Sequence, residues 1–334
     1  MNWIKENIKG ILLSSIVAVT AAYLGKIIPI VGGAVFGIII GIIFGNIIGR
    51  PEGTSHGIKF TSKTILQWAI IVLGGGLSLK QVYQTGMSSL FVMIFTLSAA
   101  FIAAYLFGRL LKLPFKITTL IGMGTAICGG SAIAAIAPII EAEDKDIAYS
   151  ISTVFMFNVI AVVVFPVIGH IIGFSQHGFG LWAGTAINDT SSVVAAAFSY
   201  GNDAGVYATI VKLTRTVMII PISLIFTVIM VFKKEKESTQ KHEHYSFLKI
   251  FPWFILGFLA ASLLNTAGII TPQISTICTE TGKFLIILAL SAIGLHSDLK
   301  QMLKTGYKPM LLGLIVWVVV AVVSVAVQKL SGQI

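Results

Sequence analysis

Apolar runs of roughly 18 to 25 residues recur from one end of this chain to the other, each long enough to cross about 30 Å of hydrocarbon at 1.5 Å per residue. In hydrocarbon a backbone must satisfy its own N–H and C=O groups, so such a chain folds as a bundle of α-helices. With 56% hydrophobic and 11% charged residues among 334, and a mean hydropathy of +0.94, no second, water-soluble domain fits beside the spans. The expected class is an all-α membrane protein, one integral domain over residues 1–334 in contact with the lipid bilayer.

The first run follows Lys5 and Lys9 but continues past Pro29 without a small-residue cleavage site, so it reads as a helix rather than a signal peptide. With Gly, Pro and charge clusters as punctuation, about eleven spans are expected. They are Ile11 to Ile28, Ile30 to Ile48, Ile65 to Leu79, Ser88 to Leu111, Thr118 to Ile140, Ile147 to Ile172, Phe179 to Phe198, Val206 to Phe232, Phe247 to Leu264, Ser275 to Leu295 and Pro309 to Val327. Placing the N-terminus in the cytoplasm puts most of the 23 Lys and Arg residues inside, among them Lys5, Arg50, Arg109, Lys112, Lys116 and Lys308.

That topology also accounts for the formal charge of +10, which in a soluble chain would suggest nucleic acid; no nucleic-acid partner is expected. The polar stretch Lys233 to Ser246 reads as a charged cytoplasmic linker (233–246) between membrane halves, with His242 to His244 as linker rather than metal site. Cys128 and Cys278 lie alone in apolar segments, which leaves no disulfide framework and no metal-ligand spacing. No metal and no cofactor is expected. Nor is an enzyme, because no nucleophile and base cluster in any recognisable pattern.

Sliding the chain by 220 residues lays Leu79–Gly86 (LKQVYQTG) on Leu299–Gly306 (LKQMLKTG), and Lys63, Ala69 and Gly74 on Lys283, Ala289 and Gly294. The spans concerned run in opposite directions, giving the inverted repeat on which many secondary transporters build alternating access. A second repeat, at offset 60, lays Gly124–Ser131 (GTAICGGS) on Gly184–Ser191 (GTAINDTS).

Both segments are rich in small and hydroxyl residues. Gly129-Gly130 and Asn188-Asp189-Thr190 are placed to interrupt helices at membrane depth and leave backbone groups facing a ligand, with half-helix N-termini favouring an anion. Gly129, Gly130, Ser131, Asn188, Thr190 and Ser191 are therefore candidate substrate-binding residues. Asp189 is a mid-span carboxylate, costly unless paired, protonated or hydrated, and is a candidate for the coupling ion together with Asn158. Lys212 and Arg215, three residues apart on one helix face, are candidates to bind an anionic solute or to pair with Asp189. Glu141, Glu143, Asp144 and Asp146 form an acidic turn, expected on the outer side.

Gly122–Pro138 (GMGTAICGGSAIAAIAP), Gly180–Thr190 (GLWAGTAINDT) and Val211–Arg215 (VKLTR) resemble the sulfate exporter family of bacterial cytoplasmic-membrane proteins, over nearly the whole chain. The resemblance implies export of sulfate or a related sulfur anion. It also implies distant kinship with cation/proton antiporters and bile-acid/sodium symporters, whose fold contains two discontinuous, crossing helices. On this reading the partners are a small anionic solute and a coupling proton or sodium, with a homodimer left open. The alternatives are a cation/proton antiporter that uses Asn188 and Asp189, and a membrane sensor or scaffold without flux.

Overall fold

The computed structural model describes residues 2–28, 32–235, 253–298 and 306–334, and is helical throughout, with no strand among them. The helices are α1 (Asn2–Ile27), α2 (Gly32–Ile43, continuing as a π-helical turn Phe44–Ile48), α3 (Ser55–Phe60), α4 (Leu66–Gly74, joined to α3 by the π-helical Thr61–Ile65) and α5 (Leu79–Leu110). Next come α6 (Phe115–Ala126), α7 (Gly130–Ile136), α8 (Asp144–Ile172), α9 (Gln176–Ala186), α10 (Thr190–Tyr200), α11 (Asn202–Val217) and α12 (Ile219–Glu235). The chain ends with α13 (Phe254–Thr266), α14 (Pro272–His296) and α15 (Tyr307–Leu330). Six helical stretches among the described residues are long and apolar enough to cross a bilayer unaided, with Gly32–Ile48 and Phe254–Thr266 as shorter apolar helices. This is the all-α membrane protein that the apolar runs predict.

Two of the expected spans do not cross. At the seventh, Gly180 lies against Ala204 and Tyr207, and Gly184 against Val211, so α9 runs parallel to α11. However, α10 feeds α11 through Gly201 alone, with Phe198 packed on Gly205, and so runs antiparallel to it. The two halves must therefore fold back on one another. Gln176 at the start of α9 accepts from the Asp203 amide (2.9 Å), and Phe179 stacks on Tyr200 at the end of α10 (3.9 Å). Residues 176–200 form a re-entrant hairpin whose tip is Ile187–Asp189.

The fifth expected span behaves the same way. Gly124 is packed under Ile133, nine positions on, a contact that a continuous helix would forbid at roughly 13 Å of rise. Lys116 at the start of α6 acts electrostatically on Glu143 at the start of α8, so the chain has returned to the face it left. The tip of this first hairpin is Ile127–Gly129. Between the hairpins α8 covers 29 residues, roughly 43 Å, so they enter from opposite faces.

The offset-60 repeat is thus structural and inverted. Counting each hairpin as a crossing is what makes the two segments look parallel in the sequence. The acidic turn consequently shares a face with Arg109, Lys112 and Lys116 instead of lying opposite them. Glu143 caps α8 in a reciprocal box with Asp146, and Lys145 donates to it (2.9 Å), which with Lys116 nearby holds its carboxyl below the ordinary range.

The helices form two packed groups. Helices α5 to α12 with α15 enclose the largest apolar core. The second group is α1 to α4 with α13 and α14, in which Gly33, Gly37, Gly41 and Gly45, four apart, let α2 sit directly on α14 at Ile287, Ser291 and Leu295. Leu73 meets Gly282 while Gly76 meets Thr279, so α4 and α14 are antiparallel, as the offset-220 repeat requires. Leu299 to Thr305 of that repeat lie outside the described residues. Of the expected linker 233–246, α12 reaches Glu235 and the rest, with His242 to His244, lies outside them too.

In a chain whose Cys128 and Cys278 are replaced by alanine, single cysteines at Lys116 and Lys145 are expected to react with an impermeant maleimide from one side of the membrane. Cysteines at Gln176 and Asn202 should react from the other. Labelling of Lys116→Cys and Lys145→Cys from opposite sides would restore a crossing helix.

Candidate functional site

Each hairpin tip ends one half-helix and begins another. The last carbonyls of α6 and α9 have no intrahelical donor, and at membrane depth water does not replace one. Glycine makes the first tip possible: Gly129 has φ +70°, a left-handed conformation strained for other residues, whereas Gly130 beside it borders open space.

The orphaned carbonyls meet Lys212 and Arg215. Lys212 Nζ donates to the carbonyls of Ile127 (2.6 Å) and Ile187 (3.0 Å), one from each tip. From Arg215, Nε donates to Ala126 (2.6 Å), Nη2 to Thr125 (2.5 Å) and Nη1 to Ile187 (3.2 Å). Both side chains are fully buried, at 0% exposure. Their charge meets the negative ends of two helix dipoles as well as five hydrogen bonds. Each such bond to a charged donor contributes about 1.5–3 kcal/mol, enough to offset a desolvation cost of several kcal/mol per ion.

Across the same junction the second half-helices begin. Asp189 is the N-cap of α10: its Oδ2 accepts from the Ser191 amide (2.9 Å) and hydroxyl, and its own amide donates to Asn158 Oδ1 on α8 (3.2 Å). A Cβ on Gly129 would stand 3.6 Å from Asp189 Cβ and 3.8 Å from Asn158 Nδ2, so the two tips touch here. Asn188 is 1% exposed, and neither polar atom of its amide has a hydrogen-bond partner among the described residues. Ser131 and Ala134 lie one turn apart on an exposed stripe of α7, Gly130 and Asp189 are half-buried, and Thr190 and Ser191 are buried.

The candidates named from the sequence therefore converge on one junction, Asn158 included. Lys212 and Arg215 are placed differently from expectation. They spend their donors on backbone carbonyls, and neither forms an ion pair with Asp189 among the described residues, because Asp189 turns to the α10 N-terminus. Sequence reasoning missed those acceptors, the carbonyls of Thr125, Ala126, Ile127 and Ile187. The available signal was the offset-60 repeat, which superposes Ile127 on Ile187.

A family described as Conserved hypothetical protein 698 matches residues 9–313. The chain belongs to this family. Similar members of the family are a UPF0324 membrane protein of Clostridium tetani, 45% identical over the full length of both chains, and one of Streptococcus agalactiae serotype V, 45% identical over 98% of each. Another, from Fusobacterium nucleatum, is 43% identical over 97% of this chain and 98% of its own. The family resemblance spans both hairpins and α11, so the junction lies within the shared region.

Replacing Arg215 by alanine leaves the buried carbonyls of Thr125 and Ala126 without a donor, at about 1–3 kcal/mol each, while Ile187 keeps Lys212. Thermal unfolding in detergent is expected to shift down by several degrees, and Arg215→Lys to recover part of the loss. An Arg215→Ala chain as stable as the native one would show that water or lipid satisfies those carbonyls.

Proposed function

We propose that this protein is a secondary transporter of the bacterial cytoplasmic membrane, exporting a small anion by alternating access with ion coupling, with sulfate or a related sulfur anion as the leading solute. The observation that carries the reading is the meeting of two inverted re-entrant hairpins at membrane depth. Non-helical backbone at that depth is tolerated where protein or a water-lined path covers it, and inverted repeats that present half-helix ends to one site are a transporter architecture. The division into two packed helix groups supplies the parts that would move.

An anion is favoured by charge. Two cations and one carboxylate are held at the junction, and the positive ends of α7 and α10 begin there. On this reading Lys212 and Arg215 fix the tips and set a positive field, without binding the solute themselves. Amides at Gly130 and Ser131, the Ser131 hydroxyl, and the Asn188 amide face it. Asp189 carries the coupling proton. The distribution of Lys and Arg, with Lys145 on the basic side, favours a cytoplasmic N-terminus on this reading.

A cation/proton antiporter is the second reading, favoured by the unpartnered Asn188 beside Asp189. Uptake of radiolabelled sulfate into proteoliposomes under an imposed pH gradient separates them. Gradient-driven flux is expected from the native chain, with Asp189→Asn keeping sulfate exchange but losing its response to pH. Absence of sulfate flux together with sodium-dependent proton movement would establish the cation reading instead.

A further inference from the structure

A groove of about 640 Å³ runs along the start of α5, between it and α13, with α11 as its floor. Leu79, Val82, Tyr83, Gly86, Met87 and Leu90 form one wall at the three- and four-residue spacing of a single helix face. Leu259 and Thr266 stand opposite, and Thr214 lies beneath. The wall from Leu79 to Leu90 is roughly 16 Å long, about one leaflet of a 30 Å hydrocarbon core.

The groove is closed to polar ligands by its own hydrogen bonds. Thr214 donates to the Ile210 carbonyl, and the Thr266 hydroxyl donates to Ser262 while accepting from the Leu79 amide. Its walls offer hydrocarbon. An alkyl chain matches such walls, and the length of the groove matches one leaflet.

At the mouth the chemistry changes. Lys80, in the first turn of α5, is exposed and forms no ion pair with any described residue, and Tyr83 beside it is 67% exposed. A free cation and an exposed tyrosine at the end of a leaflet-deep apolar groove are the features that seat an anionic headgroup.

We propose that this groove is a binding site for one acyl chain of an anionic phospholipid whose phosphate lies on Lys80. The site falls at the seam between the two helix groups, α13 belonging to one and α5 and α11 to the other. Its floor residue Thr214 lies between Lys212 and Arg215 in sequence. A lipid there wedges the seam next to the helix that holds both hairpin tips.

Native mass spectrometry of the full chain in mild detergent, titrated with phosphatidylglycerol or phosphatidylcholine, tests this. The native chain is expected to retain phosphatidylglycerol roughly fivefold better, the ratio one lysine near a lipid surface supplies. Lys80→Gln should bind the two lipids equally. Met87→Trp, at a position 53% exposed and so tolerant of a larger side chain, should fill the groove and lose both lipids while unfolding at the native temperature. Equal retention of the two lipids by the native chain, or unchanged binding in Met87→Trp, would overturn the proposal, as would a dimer that forms only when lipid is absent.

Discussion

Five hydrogen bonds from two side chains on one turn of α11 hold the middle of this protein together. A helix that stops inside a bilayer leaves carbonyls that neither lipid nor the next residue can satisfy. Two helices stop here, α6 and α9, arriving from opposite faces. Lys212 reaches one carbonyl of each, and Arg215 reaches both as well, so neither hairpin tip can shift without breaking bonds that belong to the other. The usual argument about buried cations is reversed: the charges are stable because the backbone needs them.

This arrangement makes the junction asymmetric although the repeat that built it is symmetric. Ile127 and Ile187 are equivalent and both accept from Lys212, with Arg215 added at Ile187. One step further along, Cys128 corresponds to Asn188 and Gly129 to Asp189, so the first tip is small and pliable while the second carries an amide and a carboxylate. Gly129 leaves the space in which Asp189 and Asn158 approach. Any other residue there would have to adopt φ +70°. The chemistry of the site thus comes mainly from the second hairpin and α8, and its rigidity from α11.

Most of the site's membership was readable in the sequence, because charged and amide residues are rare in apolar spans and therefore conspicuous. Asp189, Asn188, Lys212 and Arg215 stand out for that reason, and Asn158 proves to hold the Asp189 amide. Their partners were not readable. A carbonyl carries no sequence signal, so Lys212 and Arg215 looked available to a solute or to Asp189, when the acceptors they meet are main-chain atoms 25 to 90 residues earlier in the chain.

The sequence by itself determined that this chain is an all-α membrane protein and that it contains two related segments with interrupted helices. Hydrocarbon leaves the backbone no alternative to helices, and glycine pairs and buried polar residues mark their breaks locally. Whether the chain continues forward or turns back after a break is decided elsewhere. A run of about 25 apolar residues is long enough to cross once or to go halfway and return, and hydropathy is the same for both. Only the packing of α9 and α10 along α11, and of α6 on α7, decides for the hairpin. That choice sets the direction of the repeats, the face on which the acidic turn lies, and the encounter of the two tips.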